Sequence, residues 1–138
     1  MERRDFDTTA VQDYLSAQAG VCAAYVFGSQ AKGTPTVFSD LDLAVLLDST
    51  VPPSRYFEEQ LRLEAELSKR LGRDDVDVVV LNRAGALLRF QIYRTGRALF
   101  ERDRASAKRF LAHAIVEYLD FKPLKDRIEQ AHLARLGP

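Results

Sequence analysis

Residues 25–47 read YVFGSQAKGTPTVFSDLDLAVLL, and within them two acids, Asp40 and Asp42, interrupt an apolar run that otherwise has the composition of a sheet interior. Burying carboxylates there is costly unless something compensates them. Residues i and i+2 of a strand point to one face, so the two acids are expected to project side by side. Held that close they repel, and a cation between them relieves the repulsion. A hard divalent ion such as Mg²⁺ suits the position, because it binds carboxylate oxygens and completes its shell with water and phosphate oxygens.

Separated from Asp40 by ten intervening residues, the pair Gly28-Ser29 ends an apolar stretch and opens a turn into a predicted short helix, SQAKG. Glycine lets a phosphate approach the backbone, while Ser29 and the free N–H groups of a helix start can donate to its oxygens. Gly33 and Pro35 turn the chain back toward the acids, and Lys32 lies in the same loop. A further acid, Asp77, stands between Val76 and Val78 near the start of the third predicted strand. If that strand neighbours the second, Asp40, Asp42 and Asp77 form a cluster able to hold two metal ions for in-line attack at phosphorus. Taken singly, a Gly-Ser pair is usually only a turn and an Asp-x-Asp usually surface; their joint order and spacing carry the reading.

Outward from this stretch the pattern alternates. TTAVQDYLSAQAG predicts a helix capped by Thr8 or Thr9, with Val11, Tyr14 and Leu15 on one face and Gly20 as its stop. VCAAYVF and SDLDLAVLLD read as strands. VPPSRYFEEQLRLEAELSKRLG reads as a helix with Ser54 as cap, Glu58 and Glu59 at its positive end, and Lys69 and Arg70 at its negative end. DDVDVVVLN is a third strand, continuous enough in Val to be covered on both faces. Beyond Asn82, AGALLRFQIYRTG is helical and RALFE a short edge strand. DRASAKRFLAHAIVEYLD then places Ala107, Phe110, Leu111, Ala114, Ile115 and Tyr118 on one stripe, and Pro123 precedes a last amphipathic segment with Leu124 and Ile128. This order predicts an α/β or α+β domain with a small mixed sheet and helical cover.

At 138 residues one domain is expected, residues 1–138, with a core at about 8–100 and C-terminal helices at about 103–136. No apolar run suits a membrane span and residues 1–10 lack the apolar core of a signal peptide, so a cytoplasmic location is expected. Cys22 has no disulfide partner and reads as a small core residue. Zero net charge argues against binding nucleic acid through an overall field. The charge is nonetheless divided: residues 1–82 hold eight Lys/Arg and fourteen Asp/Glu, residues 83–138 twelve and six, or about −6 and +6. Arg83, Arg89, Arg94 and Arg97 are candidates to grip a triphosphate or a partner, whereas His113 reads as a helix-surface residue and His132 has no partner in sequence.

Gly28-Ser29, ten intervening residues, Asp40-Leu41-Asp42 and the later Asp77 resemble the signature of the polymerase-β-type nucleotidyltransferase superfamily, over about residues 8–100. The length and the expected lack of a second substrate-binding domain resemble the minimal nucleotidyltransferases (MNT) that act as antitoxins beside HEPN-domain ribonuclease toxins. The resemblance implies the polymerase-β-like fold, with Gly28 and Ser29 holding nucleotide phosphates and Asp40 and Asp42 binding two Mg²⁺ ions. Asp77 would bind the metal that activates the attacking hydroxyl. It also implies ATP as donor and transfer of AMP to a tyrosine of a cognate HEPN toxin. Two rival readings are an antitoxin that neutralises its toxin by covering it, and a transferase acting on a small molecule.

Overall fold

The computed structural model describes residues 6–28, 41–117 and 119. Helix α1 (Thr8–Ser16) starts not at a threonine cap but at Asp7, whose side chain accepts the Ala10 N–H at 3.1 Å. Its buried residues are Val11, Tyr14 and Leu15, the face expected from their spacing. Strand β1 (Val21–Phe27) follows, and β2 (Leu41–Leu47) resumes after residues 29–40, which lie outside the described set. A single 3₁₀ turn at Pro53–Arg55 leads into α2 (Tyr56–Leu71). Ser54 therefore sits within that turn rather than capping the helix, and α2 has no side-chain cap at its start. Its end is as expected, with Lys69 and Arg70 in the last turn and Gly72 left-handed at φ 65°.

Strand β3 (Val76–Val80), a 3₁₀ turn at Leu81–Arg83, α3 (Ala86–Thr95) and β4 (Arg97–Glu101) complete the sheet, and residues 104–117 form α4. The sheet order is β3-β2-β1-β4, with β1 antiparallel to β2 and β4, and β2 parallel to β3. The 16-residue α2 supplies the crossover that a parallel pair requires. The architecture is thus the mixed α+β arrangement expected. Tyr118, Pro123, Leu124, Ile128 and His132 lie outside the described residues.

Alternation along the strands sorts the apolar side chains onto two faces. Leu41, Leu43, Val45 and Leu47 of β2, with Val76, Val78 and Val80 of β3, pack against α1 and against Leu63 and Leu67 of α2. Ala23, Tyr25, Ala44 and Leu46 pack on the opposite face against Leu81, Ile92, Ala107 and Leu111. Strand β3 does not have the double cover that its valines suggest: it is an edge strand, Asp77 is exposed and Val79 half-buried. Among the described residues, a helix side chain meets the backbone of each edge strand. Glu64 of α2 accepts the Val78 N–H at 2.8 Å, and Gln12 of α1 donates to the Leu99 carbonyl. Such contacts blunt an edge that would otherwise pair with another chain. Among the described residues, no helix is long and apolar enough to cross a membrane.

Helix α4 is tied to α3 by Arg89, whose guanidinium donates to Glu117 Oε2 at 2.6 Å and to the Ala84 carbonyl at 3.1 Å. The hydrogen bond from Arg89 holds the Glu117 carboxyl below its usual range, and hydrogen bonds from the Ser106 N–H and hydroxyl do the same for Asp103. A carboxyl whose folded pKa is lowered contributes stability that is complete above its unfolded pKa and is lost as pH falls through the folded one. The thermal midpoint is therefore expected to fall on acidification below about pH 4, and Arg89→Met to flatten that acid slope. A midpoint–pH profile of the two proteins checks this; parallel acid limbs would contradict it.

Candidate active site

The strand polarities bring three sequence-distant points to one end of the sheet: the end of β1 and the starts of β2 and β3. Asp42 is the register partner of Phe27 across the β1–β2 pair and of Asp77 across the parallel β2–β3 pair. Register partners share a face, and adjacent strands lie about 4.8 Å apart, so the two acids stand side by side. Their face is the one that α3 and α4 cover farther along, through Ala44 and Leu46. Asp42 is half-buried at the rim of that cover and Asp77 is exposed. The condition set by the sequence, that the third strand adjoin the second, is met.

Gly28 closes the third side. Its φ is +75°, a conformation that side chains rarely adopt, and a Cβ placed there would come within 2.6 Å of Asp42 Oδ2. Besides any phosphate, the glycine thus makes room for the carboxylate of the neighbouring strand. The start of β2 is pinned as well: the Leu41 N–H donates to the Asp75 carbonyl at 2.8 Å, and the Asp75 carboxylate is gripped by the forked guanidinium of Arg73. The residue that separates Asp40 from Asp42 is therefore fixed by the turn that leads into the strand of Asp77.

The donor set fits a hard cation. Asp42 and Asp77 offer only carboxylate oxygens, on adjacent strands, with no thiolate or imidazole beside them in the register. Among the described residues no group of three acidic, histidine or cysteine side chains assembles to hold a metal. Asp40, the third acid expected there, lies outside those residues, as do Ser29, Lys32, Gly33, Pro35 and the expected SQAKG helix.

The other candidates lie outside this cluster of acids, although Arg97 starts β4 at the same end of the sheet. Arg89 is committed to Glu117 and to the backbone, Arg83 donates to Gln60 at 3.1 Å over the ring of Phe57, and Arg94 lies over Phe90. Arg97 is an exposed residue of β4, paired in register with Val26. His113 pairs with Glu117 one helical turn away on the surface. Cys22 donates to the Leu46 carbonyl at 3.3 Å, and desolvation raises its pKa, so it remains a thiol, half-buried against the core rather than within it. A buried group without sequence warning is Tyr25, whose hydroxyl donates to Glu101 at 2.7 Å. Burial, reinforced by that carboxylate, pushes its pKa upward and keeps it protonated.

The family model for polymerase β nucleotidyltransferases matches residues 9–105. The chain belongs to this family. It is accordingly a nucleotidyltransferase by family, and the match spans β1 through β4 with the acids of the site. None of the curated proteins matches the chain. Among solved structures, a toxin–antitoxin complex with AMP-PNP contains a chain of the same fold, with TM-score 0.75, 24% identity, and coverage of 92% of this chain and 98% of that one. A MntA–HepT toxin–antitoxin complex gives TM-score 0.61 at 21% identity, covering 91% and 98% of the two chains. The MNT antitoxin complex with the tri-AMPylated HEPN toxin of Shewanella oneidensis gives TM-score 0.62 at 20% identity, covering 92% and 99%. At these identities the likeness is one of fold.

Proposed function

We propose that the chain is a Mg²⁺-dependent adenylyltransferase of the antitoxin type, acting in the cytoplasm, which transfers AMP from ATP to a tyrosine hydroxyl of a cognate HEPN toxin. The observation that carries the reading is the pairing of Asp42 with Asp77 beside Gly28, at one end of the sheet of a family nucleotidyltransferase. The AMP-PNP and AMPylated-toxin complexes of structurally similar proteins support the donor and the class of acceptor.

Gly28 and Ser29 receive the triphosphate, the first through backbone space and the second through its hydroxyl. Asp40, Asp42 and Asp77 would hold two Mg²⁺ ions. When bound, these neutralise the phosphate charge and lower the pKa of the attacking hydroxyl. The carboxylates fix the direction of approach: the tyrosine oxygen bonds to the α-phosphorus, the α–β anhydride bond breaks, and pyrophosphate leaves on the side of Gly28-Ser29. The proton of the hydroxyl departs toward Asp77, the exposed acid of the pair and the one that an incoming protein can reach.

Because the acceptor is a protein, its docking depends on salt, and the basic excess after Asn82 helps to steer it. The test is intact-mass measurement of the protein encoded beside this one, co-expressed with the wild type and with Asp77→Asn. AMP added to a tyrosine only with the wild type is the expected result. A neighbour that stays unmodified while a small hydroxylated molecule is labelled would replace the protein acceptor, and binding without transfer to anything would replace the enzymatic reading.

A further inference from the structure

Among the described residues Asp77 occupies an edge strand, with ladder bonds to β2 alone. Successive N–H groups of a strand point to opposite sides, so the amide after Asp77, that of Val78, faces away from β2. That outward N–H is taken by Glu64, whose Oε2 lies 2.8 Å away from a position one peptide beyond the acid. Glu64 sits on α2 one residue after Leu63, which is fully buried in the core beneath the sheet, so its carboxylate reaches the strand from a fixed base.

We infer that Glu64 is a positioning residue for Asp77: by clamping the Val78 amide it holds the site end of β3 in register with Asp42. The inference rests on the proposed role of Asp42 and Asp77, and adds to it a residue that neither ligates metal nor touches substrate. The opposite edge provides the contrast. Gln12 holds β4 with the opposite polarity, donating to the Leu99 carbonyl, on a strand that carries none of the site acids, so a role limited to sealing edges would shift the Mg²⁺ dependence alike for the two residues.

Glu64→Gln keeps an oxygen that can accept the Val78 N–H, whereas Glu64→Ala removes the acceptor; Gln12→Ala serves as the control on the far edge. Two measurements are made. The first is hydrogen exchange of the Val78 and Asp77 amides by NMR, without metal, nucleotide or acceptor. The second is the Mg²⁺ concentration that half-saturates transfer of AMP.

In Glu64→Ala the Val78 amide should exchange severalfold faster. The half-saturating Mg²⁺ should rise by about tenfold, the size usual for loss of a group that orients a metal ligand. Glu64→Gln should restore both, and Gln12→Ala should leave both at wild-type values. Unchanged exchange and Mg²⁺ dependence in Glu64→Ala, or equal shifts in Gln12→Ala, would overturn the positioning role. A wild type that transfers nothing while its Val78 amide still depends on Glu64 would instead overturn the reading of the site itself.

Discussion

Asp42→Asn is expected to abolish nucleotidyl transfer while leaving the fold in place. Asp42 stands between the two other elements of the site, opposite Phe27 on the β1 side and opposite Asp77 on the β3 side, with its Oδ2 against the space above Gly28. On the proposed reading, losing its charge would leave a neutral amide that holds Mg²⁺ far more weakly than a carboxylate does. Metal-borne charge stabilisation is worth several kcal/mol, and a loss of about 4 kcal/mol corresponds to roughly a thousandfold in rate. The backbone pairing of β2 does not involve the carboxylate, and replacing it relieves repulsion from Asp77, so the metal-free melting temperature should stay level or rise slightly. The check is a turnover assay at saturating Mg²⁺ beside a melting curve. Undiminished turnover in the variant would remove Asp42 from the site.

Gly28→Val should combine two losses that are normally separate. A β-branched residue forced to a φ of +75° is strained, at about 1–3 kcal/mol, and its Cβ meets the Asp42 carboxylate, so the metal-free protein should melt earlier. The displaced carboxylate and the filled approach path should also weaken ATP binding by more than about tenfold, a change exceeding 1.4 kcal/mol. Calorimetry with ATP and a melt without it read the two separately. Unchanged ATP affinity would mean that the phosphates lie elsewhere; a normal melt with lost affinity would mean that the glycine serves only phosphate approach and that the Asp42 carboxylate readily yields.

How far the sequence reveals this arrangement depends on how local each feature is. The face of α1 and the end of α2 at Gly72 are set by spacings within one helix, and were legible. Caps were less so. Asp7 competes with Thr8 and Thr9 for the same donors, and Pro53 starts a tighter turn that absorbs Ser54. The valines of β3 suggest a strand covered on both faces, but three of them alternate toward α2 while Asp77 and Val79 look outward. Edge position is a property of strand order, to which a local run is blind. Gly28, Asp42 and Asp77 stand out as candidates in the sequence because their residue types are unusual for their surroundings. Their mutual placement followed from the parallel pairing that α2 permits. Glu64 could not be found this way. It is one of several glutamates on a charged helix, and its partner is a backbone amide 14 residues on in another element.

The bond that breaks is read from the fate of labelled ATP in the presence of Mg²⁺ and the cognate acceptor protein, with label at the α- or the γ-phosphate. The expected result is α-label fixed on a tyrosine of the acceptor, γ-label released as pyrophosphate in equal amount, and neither event with Asp42→Asn. Transfer of the γ-label to the acceptor, or its release as inorganic phosphate with no label fixed, would contradict it.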